Sequence, residues 1–116
     1  MSTDVTGVGT PRHTLAATQY GGDKGIFGYG GVPGSVSMTN LVSNTGVVAT
    51  DTAGVGTGRT DLAGTQYGGD KGIFGYGGNG GGIQSMTNLV SNAGVVATDT
   101  TGVGDTRKQL AACSYN

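Results

Sequence analysis

The sequence predicts an all-β fold, a tandem array of short antiparallel sheets, and three observations predict it. The first is composition: 26 Gly and 2 Pro among 116 residues leave few uninterrupted stretches for helix, while 17 Thr, no Glu and seven Asp favour strands and turns. The second is a long internal repeat. The third is a set of seven-residue runs of apolar and β-branched residues, separated by Gly and Asn. Leu, Ile, Val and Phe number only 22, close to a disordered composition, yet the net charge of −1 supplies none of the self-repulsion that usually accompanies disorder.

Residues 18–31, TQYGGDKGIFGYGG, recur unchanged at 65–78. SMTNLVSN at 37–44 returns at 85–92, and GVVATDT at 46–52 returns at 94–100. Arg12, Arg59 and Arg107 mark the same phase three times, and residues 2–20 align with 49–67 and again with 97–115. The chain divides into a partial repeat at 1–11, full repeats at 12–58 and 59–106, and a partial repeat at 107–116.

Each period holds four candidate strands. Run a is TLAATQY (14–20), with further copies at 61–67 and 109–115. Run b is KGIFGYG (24–30), reached through the hairpin signal Gly21-Gly22-Asp23. Alternation places Ile26, Gly28 and Gly30 on one face of run b and Phe27 and Tyr29 on the other. Run c is SMTNLVS (37–43), and Asn44-Thr45-Gly46 turns it into run d, GVVATDT (46–52). The connections VPGSV and NGGGIQ between runs b and c differ in the two repeats, as surface loops do. Overhanging runs d at 2–8 and a at 109–115 begin and end the array. Four antiparallel strands in a repeat of this length are the pattern of a β-propeller blade.

GIFGYGG at 25–31 and 72–78 resembles the apolar strand and Gly doublet of kelch repeats. An Arg stands a few residues before each small apolar LAA or LAG strand, as it does in that family, although the usual outer-strand Trp is replaced by Val47-Val48 and Val95-Val96. With TRKQLAACS at 106–114, the repeats are similar to Gly/Thr-rich kelch-like repeats in tail and virion proteins of tailed bacteriophages. The resemblance implies kelch-like β-propeller blades, about two per chain, in a virion or extracellular setting. Propellers close with roughly four to eight blades, so closure requires partner chains: a homo-oligomeric ring, with a trimer favoured for six blades. A trimeric prism or β-solenoid is the rival architecture.

Composition and motifs narrow the function. Balanced charge gives no footprint for nucleic acid or an anionic membrane, and no apolar stretch reaches the length of a signal peptide core or membrane span. His13 has no counterpart at Thr60 or Lys108, and Cys113 stands alone, so neither reads as catalytic, and no metal or cofactor is expected. The GxGxxG at Gly75–Gly80 lacks the following helix that a dinucleotide site needs. What recurs is a polar and aromatic set: Asp23, Asp70, Asn40 and Asn88, with Phe27, Tyr29, Phe74 and Tyr76, as candidate ligand or interface residues. Turn capping accounts for the Asp residues, pairing with an Arg for Asp51, and strand satisfaction for the Asn residues. The sequence therefore predicts a non-enzymatic structural or adhesive module. The alternative is a multivalent lectin in which the rings stack on a host-surface glycan, one site per blade.

Overall fold

A computed structural model describes residues 3–115, and they form an all-β structure with antiparallel pairing throughout. In the first repeat, β1 (Ala16–Tyr20), β2 (Lys24–Gly28) and β5 (Thr39–Val42) make a sheet in the order β1-β2-β5. In the second, β6 (Ala63–Tyr67), β7 (Lys71–Gly75) and β10 (Thr87–Val90) repeat that arrangement. The registers correspond, with Ala16 opposite Gly28 and Ala63 opposite Gly75. Runs a, b and c thus become strands, each shortened where turn residues take over.

The connections between runs b and c carry structure of their own. They fold into two-stranded ladders, β3 (Gly31–Val32) with β4 (Gly34–Ser35), and β8 (Gly78–Asn79) with β9 (Gly82–Ile83).

Four expectations are corrected. Run d forms no continuous strand: Val48 and Thr52 bridge singly to Val42 and Thr39, and Val96 and Thr100 do the same to Val90 and Thr87. Between the bridges the chain departs from the pleat, which leaves a ragged edge to each sheet. Run a at 109–115 is not a strand either. The overhanging run d at 2–8 shows no strand over its described part, residues 3–8. Finally, Phe27 and Tyr29 do not share a face. Tyr29 and Gly30 adopt φ of 64° and 97°, so alternation stops at Gly28 and the Tyr29 ring swings to the side of Ile26 and Gly28. Tyr76, at φ 65°, makes the same turn.

The two sheets stack in the same sense, so opposite faces of the same sequence meet. Repeat 1 presents Ala16, Thr18, Tyr20, Ile26, Gly28 and Tyr29, and repeat 2 answers with Gly64, Gly72, Phe74, Asn88 and Val90. β1 lies against both β6 and β7. A Cβ on Gly28 would stand 3.0 Å from Phe74 Cζ, and one on Gly72 would stand 2.7 Å from Thr18 Cγ2. Missing side chains let a ring and a β-branched residue reach the opposing backbone, so a small core of Ile26, Tyr29, Leu62, Phe74, Val90 and Val96 is packed with few large aliphatics.

Candidate functional site

The interface between the repeats is built by the linker at 55–61 and one polar cluster. Arg59 Nη1 donates to the carbonyls of Tyr76 (3.1 Å) and Met86 (2.9 Å), Nε to that of Thr57 (3.1 Å), and Nη2 to Asn88 Oδ1. Asn88 Nδ2 donates in turn to Asp99 Oδ1 at 2.9 Å, and that carboxylate also receives the Thr57 amide and hydroxyl at 3.1 and 2.7 Å. All these groups belong to repeat 2 or its entry segment. The guanidinium lies 4.9 Å over the Tyr29 ring of repeat 1, whose hydroxyl donates to Val55 O at 3.0 Å. Arg59 is fully buried, and its hydrogen bonds satisfy the charge that burial would otherwise strand.

Electrostatics follow the burial. Desolvation raises the Tyr29 phenol above its ordinary pKa and lowers that of the Arg59 guanidinium, in spite of their mutual attraction. For Asp99, desolvation pushes upward, but the hydrogen bonds from Asn88 and Thr57 prevail and hold the carboxyl below its ordinary value. Asp51 is lowered as well, first by the Thr10 hydroxyl and then by Asn40.

Repeat 1 contains the same cluster on its outer face. Arg12 donates to the carbonyls of Tyr29 (3.2 Å) and Met38 (2.8 Å) and to Asn40 Oδ1, Asn40 donates to Asp51 (2.8 Å), and Thr10 holds that carboxylate through its amide and hydroxyl. The expected Asp51–Arg pair is therefore relayed through Asn40. Arg12 Nε is buried without a hydrogen-bond partner. This cluster borders a groove of about 630 Å³ whose apolar lining includes Val5, Val8, Leu15, Phe27 and Val47.

Position in the array decides the exposure of identical residues. Phe74 is 0% exposed and Phe27 is 40% exposed. Tyr29 is fully buried while Tyr76 is only partly so, and Leu89 is more exposed than Leu41. The exposed Phe27 ring and the partly buried Tyr76 ring thus lie on the two outward faces. Asn40 and Asn88 are both buried as relays between an Arg and an Asp. Asp23 and Asp70 sit apart, at the a–b turns, each paired with its neighbouring Lys (2.7 and 2.8 Å) and bound by Asn44 or Asn92. Those partners lower both carboxyls, the Lys hydrogen bond most.

His13 and Cys113 are exposed, and among the described residues no three His, Cys or acidic side chains gather to hold one metal ion. No described helix is long and apolar enough to cross a membrane. The sequence marks the three Arg residues by phase, by family resemblance and as a partner for Asp51, and leaves Thr10 and Thr57 unassigned. The available signal was their shared spacing to Asn and Asp in both repeats. No protein-family model matches the chain, and no curated protein matches it at a significant level.

Proposed function

We propose that the chain is a non-enzymatic structural or adhesive module of kelch-like β-propeller blades, which assembles as a homo-oligomeric ring with a trimer favoured. The observation that carries this reading is the unlike fate of identical residues. Among the described residues the contact that buries Phe74 against Gly28 and Tyr29 is made once, and its two halves recur without a facing sheet, with Phe27 on one outward face and Gly75 and Tyr76 on the other. Faces of this kind fit head-to-tail association, which closes into a ring where the rotation per repeat allows. Concentration of the strand contacts at β1 supports a radial arrangement, in which inner strands converge. The resemblance to bacteriophage tail repeats supports a virion setting.

Mass in solution tests the proposal. Sedimentation velocity at micromolar concentration is expected to give a closed oligomer, three chains being the favoured number. A monomer throughout that range, or open polymers of unlimited length, would overturn the ring.

A further inference from the structure

The segment 103–109 occupies, on repeat 2, the place that the linker 55–61 occupies on repeat 1. Arg107 lies 4.3 Å over the Tyr76 ring, as Arg59 lies over Tyr29. Tyr76 OH donates to Val103 O at 3.1 Å, as Tyr29 OH does to Val55 O. Arg107 O accepts from Gly77 N at 2.8 Å, as Arg59 O does from Gly30 N. Gln109 N donates to Asp61 O at 2.7 Å, as Asp61 N does to Thr14 O at 3.0 Å. The linker 55–61, however, serves two repeats, because its Thr57 also holds Asp99 behind it. Segment 103–109 serves one. Residues 8–14 are its mirror case: Thr10 and Arg12 bind repeat 1 from behind, and among the described residues no second repeat shares them.

We infer that segment 103–115 is an intramolecular placeholder, displaced from repeat 2 by residues 8–20 of a second copy when two chains join head to tail. The inference rests on the oligomeric reading above and specifies its junction. Only one linker fits between two stacked repeats, so one of the two must leave, and residue chemistry selects which. Where Thr10 and Thr57 donate a hydroxyl to an Asp, the third copy carries Asp105. Retained at a junction, Asp105 would set a carboxylate against Asp51 of the second copy, a like-charge contact with no donor hydroxyl. Thr10 already binds its Asp51 and needs no rearrangement. With residues 8–14 in the linker's place, Tyr76 of the first chain lies under Arg12 of the second, and the groove over Phe27 is filled by Gly75 and Ile73.

The test uses the full chain. Gln109 has φ 59° and donates its amide, and Pro can satisfy neither, so Gln109→Pro expels the segment without touching either sheet. Removing a placeholder removes its competition, and Gln109→Pro is expected to assemble at a concentration lower by about tenfold or more in sedimentation velocity. A spin label on Cys113, which lines a hollow with Thr65 and Tyr67, is expected to gain mobility as the otherwise unaltered chain assembles. Adding Phe27→Asp to Gln109→Pro should abolish the gain. If the unaltered chain assembles but Gln109→Pro assembles no better, or the label stays ordered in the oligomer, the placeholder is overturned while the ring stands. If both chains remain monomeric across the range, both readings fall.

Discussion

The ring of Phe74 stands edge-on to that of Tyr29, with centroids 5.3 Å apart and planes inclined at 61°. One ring comes from each repeat, and Gly28 supplies the bare backbone on which Phe74 rests. This geometry directs the positive edge of one ring to the negative face of the other, in a dry contact.

Phe74→Ala should therefore cost about 3–5 kcal/mol of folding stability, the range for truncating a buried Phe. Phe27→Ala, the same substitution in the same heptapeptide, should cost far less in the dissociated chain, since Phe27 is partly solvated there. Chemical denaturation of both variants at high dilution measures the difference. Equal losses would mean that the stacked interface contributes nothing.

Gly28→Val and Gly75→Val should separate in the same way. The first drives a branched side chain into Phe74 and should destabilise the fold by about 1–3 kcal/mol. Gly75 meets only Thr87 Cγ2, at 3.2 Å, so its substitution should leave the unfolding midpoint closer to that of the unaltered chain and weaken self-association instead. Paired thermal melts and mass measurements read the two effects.

Arg59→Met should be severely destabilising, because Asn88 Oδ1 and the carbonyls of Thr57 and Tyr76 lose this donor while Met86 O keeps only the Tyr76 amide, at about 1–3 kcal/mol for each acceptor left buried and unpaired. Arg59→Lys should recover only part of that loss, since an ammonium cannot reproduce the planar fork that spans Tyr76 O, Met86 O and Asn88. Arg107→Met removes a single exposed stacking contact and should cost less than about 1 kcal/mol. Urea titrations of the three variants rank them.

Acid should loosen both repeats. Asp51 and Asp99 have folded pKa values below the ordinary carboxylate value, so they bind protons more weakly folded than unfolded. Their contribution is complete above the unfolded pKa of about 3.9 and disappears as pH falls through the lower folded values. Stability should be level from neutral pH to about pH 5 and should decline below about pH 4. Asp99→Asn should be less stable at neutral pH and should show a shallower acid decline. An unchanged slope would place the pH dependence on Asp51 or on Asp23 and Asp70, which are lowered too.

Much of this protein is local and therefore readable from the chain. Duplicated blocks define the period, and Gly21-Gly22 and Gly46, all at positive φ, punctuate the strands where small residues announce them. Runs a, b and c alternate well enough to be recognised as strands of antiparallel sheets. Tertiary structure decided the rest. Nothing in GIFGYGG distinguishes Phe27 from Phe74, because burial depends on whether a neighbouring repeat covers the face, and a repeated sequence cannot encode its own position in the array. The rotation of Tyr29 away from Phe27 depends on a left-handed backbone angle that a non-Gly residue adopts only when its surroundings hold it there. Run d carries a strand's residues yet makes single bridges, and run a at 109–115 carries AACSY where β1 has AATQY but lacks its pairing, since a strand forms only beside a partner that accepts its hydrogen bonds. The Thr–Asp–Asn–Arg cluster joins residues up to 42 positions apart, a proximity created when the repeats fold back on themselves.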